Sequence, residues 1–437
     1  MEKNGNVMLK SCRGLDDLLP NETATWQQVE SAARETAQAL GYREIRTPLL
    51  EPTELFNTWR SPERELFKRE PVHVKDRANK PVSLRPEVTT GVLRAYVEHR
   101  VYQSPPHFHK CSYLGPVAWF ERRPHARYVQ DVLFGIEVLG SPSPAVDADV
   151  IATAVAFLKT IGFKKYRLQI SFRGCALCTP GYHEMLREFL ADTMDKLCVE
   201  CQAHQSSDPV YLLSCPERTC HEISRVMPTP YVALCPDCRR HFQSVQDDLD
   251  TQGIDFAVNP LLACDPGYYT RTIFSLWGPE EGAPLLASGG RYDSLLELLG
   301  GPATPAAGFS ARLSACVQSA EANNLAVEES TVPDLVMASA GEESDRAVLK
   351  TINYLRQRNV RVERDYDNRT LKAQIRYASR LGARYLVVFG DDETRHNAIP
   401  VRDLTRNTQE FLPTSRLGEA LYQYLRTKPR TRASATA

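Results

Sequence analysis

The sequence has no apolar run approaching the roughly eighteen consecutive residues that a membrane helix needs. Its N-terminus also lacks the short apolar core of a secretion signal. Both absences point away from a membrane span and toward the cytoplasm. An excess of one charge is missing as well. Lys plus Arg number 53 against 54 Asp plus Glu, giving a net charge of −1. That balance excludes the broad basic surface by which many proteins grip nucleic acid, while leaving room for a local basic face. What is present is ordinary for a globular protein: 42% hydrophobic and 24% charged residues in a chain of 437, enough for about two or three domains.

Cysteine is the exception. There are 12, and eight of them fall between positions 175 and 238. Cys175 and Cys178, Cys198 and Cys201, and Cys235 and Cys238 each form a C-x-x-C knuckle, with Cys215 and Cys220 separated by four residues. In a cytosolic chain this spacing argues for thiolate metal ligation over disulfides. Each knuckle aims two sulfurs at one point, so two pairs complete a tetrahedral four-cysteine zinc site. Eight ligands serve up to two ions. A site closed by four thiolates has no open coordination position, so its role is structural. Sequence does not say which pairs combine, and His204, His221 and His241 stand nearby as possible substitute ligands.

Further motifs recur in a fixed order. Arg13 to Pro20 reads RGLDDLLP, and a helical pattern follows from about Glu22 to Leu40 with Trp26, Val29, Ala32, Ala33 and Ala37 on one face. Then come GYREIRTP at 41–48, LRPEVT at 84–89, GPVAWFERRPHARYVQDVLFGIEVLG at 115–140, DPGYYT at 265–270, GGRYD at 289–293 and GFSARLSAC at 308–316. Together they resemble the histidyl family of class II aminoacyl-tRNA synthetases. The segment at 41–48 is similar to motif 1, which builds the dimer interface in that class, and 115–140 resembles the motif 2 hairpin. By this resemblance the histidine-binding candidates are Glu87, Thr89, Arg127, Glu137, Tyr268, Tyr269 and Tyr292, with free histidine as the ligand. The cysteine-rich stretch then lies between the two halves of the catalytic fold, where the family carries an insertion.

The departures from the family pattern are concentrated on the ATP side. Trp119 stands where the motif 2 arginine would hold the α-phosphate, a job suited to a bidentate guanidinium. Cys264 replaces the arginine of the family's RGLDYYT, and Gly267 its aspartate. Ser314 and Ala315 replace the Glu-Arg pair of motif 3, with Arg312 about three residues early, and Leu133 replaces a glutamine near the ligand. Losing one charge-assisted clamp on a transition state costs on the order of 10²–10³ in rate. These losses imply that no residue of this chain acts catalytically.

The expected fold class is therefore α/β: a class II synthetase-like α+β core with an antiparallel sheet and flanking helices. The core would occupy 1–170 and 246–325, interrupted by a cysteine-rich insertion at 171–245. After Pro333 the sequence alternates apolar runs (334–338, 360–363, 385–390) with helical patterns (345–358, 371–381). This implies a small βαβ domain at 333–425 with a mainly parallel sheet, similar to the anticodon-binding domain of several synthetases, and a disordered tail at 426–437.

Among proteins of this fold, the missing arginines favour a non-catalytic homodimeric paralogue. The expectation is the regulatory subunit of ATP phosphoribosyltransferase, which confers histidine feedback on the first step of histidine biosynthesis and pairs with a short-form catalytic subunit of that enzyme. A divergent histidine–tRNA ligase is the alternative, and an RNA-binding or signalling module on the same fold is the third. Binding of tRNA stays open.

Overall fold

A computed structural model describes residues 9–57, 70–105, 108–121, 126–215, 217–262, 268–325, 332–367, 369–390 and 397–428. Cys264 and Gly267, singled out by sequence, lie outside these. The chain forms two compact units, Met1–Glu328 and Glu329–Ala437. Among the described residues no helix is long and apolar enough to cross a membrane.

The first unit opens with α1 (Thr23–Ala39), which buries Val29, Ala32, Ala33 and Ala37 as the helical spacing requires. Short β1 (Arg43–Glu44), β2 (Leu50–Pro52), α2 (Thr53–Asn57), β3 (Glu70–Lys75) and β4 (Pro81–Leu84) lead to α3 (Thr89–Glu98). Next comes a long hairpin, β5 (His109–Glu121) and β6 (Arg127–Leu139), paired in register from His109 opposite Leu139 to Glu121 opposite Arg127. Helix α4 (Pro144–Ile161) starts at a Ser143 cap whose hydroxyl accepts the Ala145 N–H, with Pro144 in the first turn where its missing donor costs nothing.

Strand β7 (Arg167–Phe172) runs into the cysteine-rich stretch, which folds as α5 (Thr179–Ala191), α6 (Val199–His204), α7 (Arg218–Ser224) and α8 (Pro236–Thr251). The core resumes with β8 (Ala257–Val258), β9 (Thr270–Trp277), β10 (Leu285–Arg291), α9 (Leu295–Leu298), β11 (Ala306–Arg312) and α10 (Leu313–Ala322). The strands make one sheet in the order β2-β4-β3-β5-β6-β11-β10-β9-β7-β8, with β1 beside β5. All pairings are antiparallel except β1 with β5 and β7 with β8. Helices α1, α4, α8 and α10 cover one face and share its apolar core with Phe134, Ile136, Phe274 and Phe309. The other face is left to the site.

The second unit contains β12 (Leu335–Ser339), α11 (Glu342–Arg356), β13 (Val362–Glu363), α12 (Leu371–Arg380), β14 (Tyr385–Phe389), β15 (Ala398–Asp403), β16 (Thr408–Pro413) and α13 (Leu417–Thr427). Strand β12 is buried along its whole length because helices pack on both faces of the sheet. The expected mainly parallel sheet is corrected. Only β13-β12-β14 is parallel, and β15 and β16 extend it antiparallel. Both carry Pro and charged residues, so the periodicity hid them. The expected disordered tail at 426–437 is corrected at its start, since Arg426 and Thr427 belong to α13, which Leu421 and Tyr424 anchor; residues 429–437 lie outside the described residues.

Candidate functional site

Glu137 is the centre of the opposite face, where Val88 and Val92 at α3 pack against Tyr113, Val117, Trp119 and Leu133. It is 1% exposed on β6, opposite Gly308 of β11. A methyl group on Gly308 would collide with the Glu137 carboxylate and the Ile136 carbonyl, so the close approach of strand to carboxylate requires glycine. Gly135 plays the same part for Tyr113, whose ring lies across it. The Tyr292 hydroxyl donates to Oε2 of Glu137. The Thr89 and Tyr113 hydroxyls stand 3.3 Å apart beside it. Oε1 of Glu137 is buried with no hydrogen-bond partner among the described residues. A buried acceptor without a donor is a costly arrangement that a ligand donor would relieve.

Burial, assisted by the neighbouring Glu87 charge, pushes the Glu137 carboxyl up to about 8 against the opposing hydroxyls of Tyr292, Thr89 and Tyr113. Burial likewise raises the Tyr113 and Tyr292 phenols well above their usual value. Tyr268, Tyr269 and Tyr292 form an aromatic wall, with ring centroids 5.1, 5.7 and 6.4 Å apart. This combination of carboxylate, phenols and aromatic faces suits a small cation such as an ammonium or imidazolium.

Six of the seven sequence candidates are accounted for here. Glu87 has a second task, since its carboxylate accepts the Thr90 N–H at 3.2 Å and the Thr90 hydroxyl, capping α3. Arg127 is the correction. It pairs with Glu121 at 3.1 Å at the far tip of the hairpin, ten residues from Glu137 or roughly 33 Å along an extended strand. Sequence reasoning missed Tyr113, whose place on the same face as Glu137 follows from hairpin register alone. It also missed Arg85, which is buried and donates to Pro116 O at 2.9 Å and Thr47 Oγ1 at 2.8 Å, tying the 41–48 segment to the hairpin.

The ATP side of the same face is different. Trp119 is buried on β5. Arg312, the last residue of β11, places its guanidinium 5.5 Å from the Trp119 ring centre and its Nε 2.9 Å from Oδ2 of the buried Asp131. The Ser314 N–H and hydroxyl reach Asp131 at 3.1 and 2.5 Å. The early position of Arg312 therefore does not turn it off the site face. It brings a cation beside the position where the family arginine is lost, and Ala315 is buried in α10.

A second network centres on Arg291 of the GGRYD segment. Arg291 is fully buried and donates to Asp147 Oδ1 at 2.8 Å, Asp293 Oδ1 at 3.1 Å and the carbonyls of Ser141 and Ser143. Oδ2 of Asp147 accepts from His241 Nε2 at 2.8 Å, and His241 Nδ1 accepts from Arg271 at 2.9 Å. His241 is therefore no metal ligand. His204 stacks on Tyr211 with centroids 4.2 Å apart, and His221 is exposed.

The eight cysteines divide into two clusters, each able to hold a metal ion. Cys175, Cys178, Cys235 and Cys238 form one, and Cys198, Cys201, Cys215 and Cys220 the other, with all sulfurs in a cluster within 4.8 Å of one another. Sulfurs of Cys175 and Cys178 are 3.7 Å apart and those of Cys198 and Cys215 3.8 Å. A disulfide would need about 2.05 Å. Four thiolates at about 2.3 Å from zinc put the edge of their tetrahedron near 3.8 Å, so the spacing fits the ion. Backbone N–H groups of Cys235 and Cys198 point at Cys178 and Cys220 sulfurs at 3.2 Å, as donors to metal-bound thiolates do.

Comparison with known proteins fits this geometry. The histidyl-tRNA synthetase family profile matches residues 14–177 and 218–316, and the anticodon binding domain profile matches 334–423. A histidine–tRNA ligase of Desulforudis audaxviator is 36% identical over 418 residues, covering 95% of this chain and 99% of its own. That of Desulforamulus reducens is 35% identical over 399 residues, covering 91% and 95%. The crystal structure of apo histidyl-tRNA synthetase from S. aureus superposes with a TM-score of 0.80 at 31% identity, covering 94% of this chain and 99% of that one. A Bacillus halodurans structure described as an ATP phosphoribosyltransferase regulatory subunit/histidyl-tRNA synthetase shares the fold at 19% identity and a TM-score of 0.64. The expectation of a phosphoribosyltransferase regulatory subunit, with its short-form partner and role in histidine biosynthesis, is overturned by the near full-length match to ligases. The absent arginines had suggested it, and the retained length and identity outweigh them. The chain belongs to the histidyl-tRNA synthetase family of class II synthetases.

Proposed function

We propose that the chain is a cytoplasmic histidine–tRNA ligase, which adenylates histidine with ATP and passes it to tRNA(His). The observation that carries this reading is the amino-acid pocket around Glu137, a buried carboxylate with an unpartnered Oε1 whose other oxygen accepts from Tyr292 of the tyrosine wall. Glu137 and Glu87 would bind the cationic groups of histidine, and Tyr268, Tyr269 and Tyr292 would exclude water from them. Arg312, stacked toward Trp119, would supply positive charge near the phosphates in place of the lost motif 2 arginine. Its pairing with Asp131 offsets that charge, so adenylation should be slow, on the order of 10²-fold or more below an enzyme with every clamp in place. The anticodon-binding domain supplies the tRNA contact, the 41–48 segment a homodimer interface, and zinc fills both four-cysteine clusters.

A second reading rests on Trp119 and Ala315: a histidine- and RNA-binding module that no longer adenylates. One experiment separates the two. Histidine-dependent ATP–pyrophosphate exchange and charging of tRNA(His) should both be detectable and slow. Absence of exchange in protein that binds histidine and tRNA would overturn the ligase reading in favour of the second.

A further inference from the structure

The two cysteine clusters are built alike and set in different surroundings. Cys178, Cys238 and the intervening Leu234 belong to the main apolar core beneath the sheet, with Cys175 and Cys235 packed against it. Cys201, Cys215 and Cys220 belong to a separate core of the insertion, made with Tyr182, Leu186, Leu190, Leu197, Leu212 and Met227.

The first cluster is also continuous with the pocket through backbone and side chain. The pairing of β7 with β9 runs on past Phe172, where Arg173 N–H donates to Arg271 O at 2.6 Å and Arg271 N–H to Gly174 O at 2.8 Å. Cys175 follows at once. Gly174 has a φ of +83°, and a methyl group there would meet the Cys178 side chain, so the knuckle closes directly on this turn. Arg271 itself holds a left-handed backbone, φ +52°, a conformation that costs a non-glycine residue free energy and persists only when its surroundings fix it. From the other knuckle, α8 begins after Cys235, and His241 lies one turn beyond Cys238. His241 accepts from the Arg271 guanidinium and donates to Asp147, which holds Arg291 beside Tyr292. Arg271 therefore leans on both knuckles of one cluster. It is only two residues from Tyr269 in the aromatic wall.

We propose that the metal held by Cys175, Cys178, Cys235 and Cys238 positions the amino-acid pocket through Arg271 and His241, whereas the metal held by Cys198, Cys201, Cys215 and Cys220 holds only the insertion together. This rests on the zinc and histidine-binding readings above. His241 and Arg271 are positioning residues, since they act on the pocket through Asp147, Arg291 and the backbone leading to Tyr268 and Tyr269. Metal at the first cluster fixes the directions from which Gly174 and His241 reach Arg271. Without it the strained Arg271 relaxes, and the wall at 268–270 loses its support.

The test uses full-length protein with zinc counted by elemental analysis, histidine affinity by calorimetry, and hydrogen exchange at residues 268–274. Cys235→Ser should lose one zinc ion, weaken histidine about 10–100-fold, the range typical of losing an outer-shell support, and speed exchange at 268–274. Cys215→Ser should also lose one ion and leave both other readings unchanged. His241→Gln offers Asp147 a donor and lacks the ring nitrogen that accepts from Arg271. It should keep both ions, weaken histidine and speed exchange, and it decides the matter should Cys235→Ser not fold. Equal effects of the two cysteine variants, or unchanged exchange and affinity in His241→Gln, would overturn the proposal. If the unaltered protein binds no histidine, the functional reading fails instead, and the exchange measurements alone still decide this one.

Discussion

Replacing Glu137 by glutamine should make the protein more stable and less able to bind histidine. The folded chain holds this carboxyl at about 8 because it is buried, against 4.5 in the absence of that environment. The sign follows from proton linkage. With a raised value, the folded state binds a proton that the unfolded chain has already released, so this group's contribution is fully present below about pH 4.5 and is lost as pH rises through 8. At pH 7 the loss amounts to about 3 kcal/mol, taking roughly 1.4 kcal/mol for each pH step above the unfolded value. Glutamine keeps the shape and an acceptor for Tyr292 and cannot ionise, so Glu137→Gln should gain about 2–3 kcal/mol at pH 7 and nothing at pH 4. Urea unfolding followed by tryptophan fluorescence measures this, because all four tryptophans lie in the first unit. The same variant should lose affinity for histidine, whose cationic groups favour the ionised carboxylate on binding, a form that glutamine cannot adopt. A variant no more stable than the unaltered chain at pH 7, with the same slope between pH 5 and 8, would refute the reasoning.

Asp147→Asn should destabilise the first unit by about 3–5 kcal/mol, the usual result of leaving a buried Arg291 without its counter-charge, as read by the same unfolding measurement. Although burial opposes it, the His241 and Arg291 bonds hold the Asp147 carboxyl below its usual value. Its contribution is therefore present above the ordinary carboxylate range and lost as pH falls below it, the reverse of Glu137. Arg312→Ala should abolish the residual pyrophosphate exchange and leave histidine affinity unchanged, since Arg312 lies with Trp119 and Asp131 and away from the Glu137 pocket. Equal exchange in Arg312→Ala would place the compensating charge elsewhere.

The legible parts of this protein were those where a local rule fixes the structure. The α1 face with Val29, Ala32 and Ala33 followed from helical spacing, and β12 and β14 followed from unbroken apolar runs. What escaped was set by contacts between distant segments. The pairing of cysteine knuckles, first with fourth and second with third, depends on how α5 to α8 fold together. The His241–Asp147–Arg291 network joins residues up to 144 positions apart, and no local spacing links them. Strand β15, with Pro400 and Arg402, lacks a run that periodicity could find.

The misjudged function has the same origin. Each absent arginine is a loss at a fixed position of the sequence pattern, while the chemistry requires a charge at a place in space. Arg312 is early in sequence and nonetheless lies over Trp119, because β11 ends beside the hairpin and Leu133 faces Arg312 across the β6–β11 pairing. Asp131 then accepts from that guanidinium, and Ser314, at one of the altered positions, donates to Asp131 in turn. Such linked changes look like decay when read one residue at a time. In three dimensions they form one ion pair on the buried Asp131 carboxylate, with each member explaining the others. Buried charge survives only when paired. Asp131 is therefore the residue to change alongside Arg312, and Asp131→Asn should free the Arg312 guanidinium for a phosphate and raise the exchange rate. A fall in exchange would instead mean that Asp131 is needed to aim it.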